Sequence, residues 1–196
     1  SFDFGNIHFV CLDSMASSRA PGSAMLTWLQ NDLATNSKDW LVAFWHHPPY
    51  TKGSHDSDTE TPLIEMRQNV LPILENYGVD LVLSGHSHSY ERSYFIDGHY
   101  GLSTTFTNAM KKDPGGGSLT GTGAYTKTVL GPSAHQGAVY AVAGSSGQTS
   151  GGTSHVWYPE HGGDVLLSAQ QVMPVQSLPE LAMAVQPQSD RSAASK

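Results

Sequence analysis

The sequence predicts an α/β fold, in which helices pack against a sheet of mostly buried strands. Three apolar runs, at residues 7–12, 40–45 and 79–84, are short and nearly continuous, as expected of strands that are covered on both faces. Between them, residues 23–35 and 61–77 carry apolar side chains at helical spacing. Strands that alternate with helices in this order are typical of α/β proteins.

The composition limits the classes of function that the chain can have. Its 196 residues are enough for one domain with a substantial core, or for part of a larger domain. A formal net charge of -7 argues against binding to the phosphate backbone of nucleic acids, which requires a basic stripe. No apolar run reaches the roughly 18 residues that a membrane-spanning helix needs, so we predict no membrane partner.

The first third of the chain predicts a strand pair followed by a helix. Residues 2–13 have the pattern of two short strands that meet at a Gly5-Asn6 turn. His8, within the second strand, is expected to be a packed core histidine rather than a ligand. Ser23 is a suitable N-cap for the first helix. The face of this helix that we expect to line the core consists of Met25, Trp28, Leu29 and Leu33.

The one cysteine and the chain start carry little functional information. Cys11 lies in an apolar run, which predicts a buried and unreactive thiol, and a single cysteine cannot form an internal disulfide. The chain starts at Ser1 without an initiator methionine, as if it were cut from a longer protein. The absence of a leader segment is therefore uninformative.

Proline and glycine mark the boundaries of the later elements. Thr61 and Pro62 are expected to cap and open the second helix, and Pro72 should kink that helix or split it. Asp97-Gly98 lies between two short aromatic runs, which predicts a hairpin. Residues 103–136 are long, polar and glycine-rich and suggest an insertion or lid, whereas residues 137–144 predict a strand.

Histidines follow two of the predicted strands directly. His46 follows the strand at residues 40–45, and His86 and His88 follow Gly85 at the end of the next strand. Ligand sites of α/β proteins collect at the carboxyl ends of the strands, and neutral imidazoles bind zinc, iron and manganese. The alternative is a set of surface histidines in turns. No carboxylate lies at comparable spacing, since nothing in the local sequence directs Asp13 toward this site.

Four stretches of the sequence resemble one family. WLVAFWHHPPY and GHSHSYERS resemble the fourth and fifth motifs of the calcineurin-like metallophosphoesterases, in particular those of the purple acid phosphatase branch. SFDFGNIHFVCLDS and GAVYAVAGSSG resemble the strands before and after these motifs. The resemblance implies part of a layered α/β/β/α sandwich with mixed sheets. The family's earlier motifs, GDxG, GDxxY and GNH(D/E), are absent, which implies that the N-terminal half of the domain is missing. We therefore assign residues 1–165 to the C-terminal half of the catalytic domain and expect residues 166–196 to be a disordered or atypical tail.

The resemblance also implies roles for four histidines. His46 and His86 would bind the second of two metal ions, and His88 would bind the first. His55 would contact the substrate phosphate and assist protonation of the leaving group, unless it is a solvated loop residue. The two ions would be divalent or of mixed valence, with iron paired with zinc, manganese or iron. His47 matches no ligand position, and Glu91 and Arg92 are expected to form a structural ion pair.

The implied activity is hydrolysis of a phosphomonoester by a metal-activated hydroxide. The isolated chain should be inactive, because the motifs that carry the acidic ligands are missing; its expected partners are a phosphate ester and the other half of its own domain. Three alternatives remain: a phosphodiesterase of the same superfamily, a mononuclear three-histidine site, and a non-catalytic binding module. The resemblance and the low lysine content suggest an extracellular or periplasmic location.

Overall fold

The computed structural model describes residues 1–113, 115 and 124–146, together with two short strands at residues 166–168 and 185–187. The remaining residues, including most of the predicted tail, lie outside the described part of the chain. The predicted α/β fold is confirmed, with a mixed sheet and helices packed on it. The strands are β1 (Phe2–Phe4), β2 (Ile7–Cys11), β3 (Trp40–Trp45), β4 (Leu81–Ser84), β5 (Tyr90–Ser93), β6 (Tyr125–Lys127), β7 (Val139–Ala143), β8 (Leu166–Ser168) and β9 (Val185–Pro187).

The main sheet has a parallel centre and antiparallel margins. Its order is β1-β2-β3-β4-β7-β5-β8, and the four central strands from β2 to β7 run parallel. β1 pairs antiparallel with β2, and β5 pairs antiparallel with both β7 and β8. β6 and β9 form a separate parallel pair. The carboxyl ends of the central strands therefore meet at one edge, where the histidines were expected.

The second predicted helix is divided in the structure. α1 spans Ala24–Leu33, α2 spans Thr61–Glu65 and α3 spans Leu71–Asn76, and a π-helical turn at Met66–Val70 joins the last two. Pro72 explains the division, because it has no N–H group to donate to the preceding turn. The N-cap of α2 is Glu60 rather than the predicted Thr61, and its side chain makes no capping hydrogen bond.

The core lies between the helices and one face of the sheet. Ser23 caps α1 as predicted, since its Oγ accepts a hydrogen bond from the Leu26 amide at 3.4 Å. Trp28 was expected in the core but is exposed, because the helix turns Leu26 toward the sheet in its place. In β2, β3 and β4, side chains that point toward the helices are buried, whereas those on the opposite face are half-buried: Phe9, Val42, Phe44, Leu81 and Leu83.

Two other predictions about local structure are wrong. Cys11 is exposed, because it belongs to the less covered face at the end of β2. The hairpin at Asp97-Gly98 does not form, because Ile96 instead makes isolated bridges with Lys111 and Ala138. His8 is a buried core histidine as predicted, and its ring nitrogens contact the carboxylates of Asp3 and Asp32.

A buried ion pair connects β6 to the main sheet. The ammonium group of Lys127 is fully buried and contacts the Asp80 carboxylate. The other carboxylate oxygen of Asp80 accepts a hydrogen bond from the Leu41 amide at 2.7 Å. Burial raises the pKa of Asp80, and the neighbouring Lys127 opposes this shift. The pair therefore stabilises the sheet only while both charges are present.

A second buried carboxylate, that of Glu75 near the end of α3, is held by two tyrosines. The hydroxyl of Tyr140 donates to Glu75 at 2.5 Å, and that of Tyr100 donates to the other oxygen. The Gly98 amide donates to the same oxygen as Tyr100, at 2.9 Å. Burial raises the pKa of Glu75 to about 7, although the tyrosine hydrogen bonds act in the opposite direction. Glu75 therefore titrates near neutral pH.

Within the described residues, no helix combines the length and the apolar character needed to cross a bilayer.

Candidate metal centre

His46 and His86 meet at the carboxyl edge of the sheet. β3 and β4 are parallel neighbours, with Trp45 beside Ser84, so the residues that follow each strand lie side by side. The His46 carbonyl accepts a hydrogen bond from the Gly85 amide at 3.1 Å. The Nε2 atom of His46 lies 3.0 Å from the Nδ1 atom of His86. Two nitrogens bound to one tetrahedral zinc ion, each at about 2.0–2.1 Å, would be roughly 3.3 Å apart. The two rings are thus placed to share one ion.

The backbone of the loop that carries His86 is tightly constrained. His86 has a φ angle of 65°, in the left-handed region that few residues other than glycine adopt. Gly144 packs against the same loop so closely that a Cβ atom there would lie 1.9 Å from the Ser87 carbonyl oxygen. The direction of the His86 ring is therefore set by the fold.

Hydrogen bonds join this loop to the loop that follows β3. The Ser54 amide donates to Ser87 Oγ at 3.0 Å, and the His88 amide donates to Ser54 Oγ at 3.0 Å. His88 is half-buried, but its ring belongs to none of the potential metal-binding clusters found among the described residues. The structure thus brings His46 and His86 together, and it places His88 on the same loop without adding its ring to their cluster.

Glu91 strengthens the contact between the same two loops. Its buried carboxylate accepts hydrogen bonds from the Thr51 hydroxyl at 2.7 Å, the Lys52 amide at 3.1 Å and the Ser89 hydroxyl at 2.6 Å. Arg92 is the next residue of β5, and neighbouring side chains of a strand point to opposite faces. The carboxylate therefore joins the loops rather than serving as the predicted partner of Arg92.

His55 lies against His86, and a glutamate contacts both. The centroids of the two rings are 3.7 Å apart. The Nδ1 atom of His55 lies 3.0 Å from both oxygens of Glu60, and one of these oxygens is 3.5 Å from His86 Nε2. Burial raises the pKa of Glu60, but hydrogen bonds from the Asp56 amide and from His55 outweigh this effect and hold it below its usual value. Glu60 is therefore an anionic partner for two imidazoles.

Glu60 was not predicted from the sequence. It follows His55 by five residues and immediately precedes α2, a position at which an acidic residue is ordinarily interpreted as part of a helix start. Asp13, the other acid considered, is turned away from the site. Its carboxylate accepts hydrogen bonds from the amides of Met15 and Ala16 and from the Ser17 hydroxyl, within its own exposed turn.

His47 contacts Ser14 and lies beside the other imidazoles. Its Nδ1 atom is 3.0 Å from the Ser14 carbonyl oxygen and 3.1 Å from Ser14 Oγ. The His47 ring centroid is 5.1 Å from that of His46 and 4.8 Å from that of His86. Burial lowers the pKa of His47, and the nearby His86 lowers it further. Burial also lowers the pKa of His86, followed by the effect of His55.

These residues fit a transition-metal ion. Ring nitrogens of His46, His47 and His86 lie within 4.8 Å of one another, and a second such group consists of His55, Glu60 and His86. The lowered pKa values of His47 and His86 favour neutral imidazole, which is the form that binds metals. Clustered imidazoles with one carboxylate suit zinc, iron or manganese better than magnesium or calcium, which prefer oxygen ligands.

The sequence around these histidines is similar to a known protein family. Residues 3–90, which carry His46, His55, His86 and His88, match the family model of the calcineurin-like phosphoesterases. This segment, which is less than half of the chain, is similar to that family. The loops that carry these histidines lie within the matched segment, and the resemblance seen in its motifs is confirmed.

Individual relatives agree with this assignment. The chain is 37% identical over 97 residues to purple acid phosphatase 15 of Arabidopsis thaliana, and 38% identical over 96 residues to purple acid phosphatase 23 of the same plant. Each match covers 47% of this chain, but only 17% and 20% of the two relatives. The chain thus spans about a fifth of the length of these curated relatives.

A solved structure shows the same fold. Purple acid phosphatase PPD1 from yellow lupin (Lupinus luteus) seeds superposes on 88% of this chain with a TM-score of 0.54, at 15% sequence identity. The match covers 24% of the lupin chain. At this identity the likeness supports the fold alone, and it confirms the prediction of a mixed α/β architecture of the calcineurin-like type.

Proposed function

We propose that this chain is part of a dinuclear metal-dependent phosphoesterase that hydrolyses phosphomonoesters. The observation that carries the proposal is the 3.0 Å approach of His46 Nε2 to His86 Nδ1 at the carboxyl edge of the calcineurin-like segment. At this distance the two nitrogens can share a proton in a hydrogen bond, or share one metal ion when both are deprotonated. In a binding module, no such convergence would be required.

The histidines divide between two ions in this proposal. His46 and His86 hold the second ion, and His88, two residues further along the same loop, holds the first. The ions are divalent or of mixed valence, with iron paired with zinc, manganese or iron. When bound, such a pair supplies a hydroxide near neutral pH and neutralises the charge of the phosphate. Imidazole ligands position the ions without adding negative charge that would repel the phosphate.

His55 is proposed to act on the substrate itself. A carboxylate can only accept, so the Nδ1 atom that faces Glu60 carries the proton of the neutral ring. The Nε2 atom is then available to the phosphate. A protonated His55 would donate a hydrogen bond to the phosphate and pass its proton to the leaving oxygen.

The acidic ligands are proposed to come from outside this chain. Residues 1–165 would be the C-terminal half of the catalytic domain, and the other half would add the missing sheet layer together with the acidic residues of the earlier motifs. The half-buried apolar face of the sheet, at Phe9, Val42, Phe44 and Leu83, supports this arrangement. The isolated chain would then bind metal but turn over little substrate. We further propose an extracellular or periplasmic location, by resemblance to the family.

The test compares the chain alone with the full-length gene product. Each is assayed with an aryl phosphate monoester and the matching diester, after loading with Zn²⁺, Mn²⁺ or iron. We expect the full-length protein to hydrolyse the monoester preferentially, and His86→Asn or chelation to abolish the activity. The chain alone should be inactive. If the protein prefers the diester, the proposed activity would be that of a phosphodiesterase instead of a monoesterase. An active His86→Asn protein would exclude the proposed metal centre.

A further inference from the structure

Three imidazole rings form a nearly equilateral triangle at the sheet edge. The centroids of His46, His47 and His86 are separated by 5.1, 4.8 and 4.8 Å. Each pair is steeply inclined, with interplanar angles of 78°, 74° and 63°. Rings that only pack for hydrophobic burial need no such threefold arrangement. Three imidazoles bound to one tetrahedral ion do need such an arrangement. With metal–nitrogen distances of about 2.0–2.1 Å, their ring centroids lie roughly 5 Å apart.

Ser14 contacts the His47 ring at Nδ1. The carbonyl oxygen of Ser14 can only accept a hydrogen bond, and it lies 3.0 Å from His47 Nδ1. With the proton of the neutral ring on Nδ1, this contact is a hydrogen bond and Nε2 keeps its lone pair. Ser14 is itself fully buried and also binds the His47 amide through Oγ at 3.1 Å. The ring is thus held by two elements, the end of β2 and the end of β3.

We propose that His47 is the third imidazole ligand of the ion between His46 and His86, and that this ion is zinc in a three-histidine centre. The inference rests on the proposed function only in placing an ion between those two residues. In the isolated chain, three imidazoles and a fourth position open to water are a ligand set that suits Zn²⁺.

The surroundings of the triangle have the features of a metal site. Metal-binding histidines characteristically donate their second ring N–H to a carbonyl or a carboxylate, which fixes the tautomer and the ring direction. His47 has the Ser14 carbonyl in this role, and His86 has the Glu60 carboxylate 3.5 Å from Nε2. In each ring the contacted nitrogen is the one that the ion would not use. His47 is 7% exposed, so the ion would reach it from the side of His46, which is open to solvent.

The test counts the imidazoles around zinc bound to the 196-residue chain. His47→Asn is the informative variant, because the Asn amide can still donate to Ser14 in place of Nδ1 but has no atom at the position of Nε2. His8→Asn is the matched control, since His8 is 8% exposed and lies outside the site. X-ray absorption at the zinc edge should show three imidazoles in the wild-type chain and in His8→Asn, and two in His47→Asn.

The zinc affinity of His47→Asn, measured by chelator competition, should fall together with the number of imidazole ligands. Loss of an outer hydrogen-bonding partner typically weakens metal binding about 10–100-fold, and loss of His47 should exceed that range. In case His47→Asn folds poorly, the ¹⁵N resonance of His47 Nε2 in the wild-type chain offers a test that needs no variant, because zinc should shift it.

The outcomes separate this inference from the proposed function. Two imidazoles in the wild-type chain, or unchanged zinc binding in His47→Asn while His46→Asn loses it, would overturn the role of His47 alone. A wild-type chain that binds no zinc, or binds it independently of both His46 and His86, would overturn the metal centre as a whole.

Discussion

The hydroxyl of Thr51 donates a 2.7 Å hydrogen bond to the buried carboxylate of Glu91. The two residues are 40 positions apart, one in the loop after β3 and the other at the start of β5. The same carboxylate also binds the Lys52 amide and the Ser89 hydroxyl. One acidic side chain therefore aligns the loop of His55 with the loop of His86, and the geometry of the site depends on a residue that touches none of the proposed ligands.

Replacing Glu91 by Gln should destabilise the fold. The amide nitrogen of Gln cannot accept a hydrogen bond, so one or more of the three donors would be left buried without an acceptor. We expect the free energy of unfolding to fall by about 2–3 kcal/mol, as measured by urea denaturation. Glu65→Gln is the control, because Glu65 forms a partly exposed ion pair with Arg19, worth at most about 1 kcal/mol. Equal effects of the two variants would contradict the role assigned to Glu91.

Removing the charge of Lys127 should be costlier than removing both charges of its ion pair. Lys127→Met leaves Asp80 buried without its cation, which typically costs about 3–5 kcal/mol of stability. The double variant Lys127→Met with Asp80→Asn should recover much of this loss, since Asn can still accept from the Leu41 amide. A double-mutant cycle by chemical denaturation measures the coupling. Strictly additive effects would show that the pair does not act as a unit.

Glu75 should make stability depend on pH below neutrality. Its pKa is about 7 in the folded protein, against an ordinary value of 4.5. Between these pH values the folded protein holds a proton that the unfolded chain has released, so the free energy of unfolding falls as the pH rises and levels off above 7. We expect a contribution of up to about 3 kcal/mol across this window.

Glu75→Gln isolates this contribution. Gln can satisfy the two tyrosine hydroxyls without titrating, so the variant should lose the slope between pH 4.5 and 7 that wild type owes to Glu75. Urea unfolding of both proteins at several pH values gives the difference between the two profiles. Parallel profiles would exclude Glu75 as the titrating group.

Zinc should stabilise the isolated chain through the histidine edge. An ion that binds only the folded state, at about 100 times its dissociation constant, adds roughly 2.7 kcal/mol to the free energy of unfolding. Thermal unfolding with and without Zn²⁺ should show this shift for the wild-type chain. His86→Asn should lose it, whereas His8→Asn should keep it. A zinc-dependent shift that survives in His86→Asn would locate the binding elsewhere.

The sequence was sufficient to predict the position of His46 and His86. Both follow apolar strands, and neighbouring parallel strands bring such positions together whatever conformation the connecting loops adopt. Glu60 and the orientation of His47 could not be predicted. Glu60 depends on how the loop after β3 folds back through the hydrogen bonds of Thr51 and Ser54, and His47 depends on its contact with Ser14. Local spacing contains no signal for contacts that span some 40 residues of chain.

Predictions from local sequence patterns were wrong where tertiary contacts outweigh local conformational preferences. Asp97-Gly98 has the composition of a hairpin turn, yet Ile96 pairs with Lys111 and Ala138 instead, because bridges to more distant segments replace the local pairing. Trp28 has the right helical spacing for the core, but the helix is rotated so that Leu26, Leu29 and Leu33 face the sheet. Such choices between neighbouring faces are settled by packing against residues far along the chain.

The left-handed backbone of His86 affects how a metal ion would bind at this edge of the sheet. A non-glycine residue in that conformation costs about 1 kcal/mol or more, and the surrounding fold must sustain it. That conformation is sustained by the packing of Gly144 against the same loop. A zinc ion would meet nitrogen donors that already point toward its site. Its binding should therefore be fast and should require little rearrangement of the polypeptide.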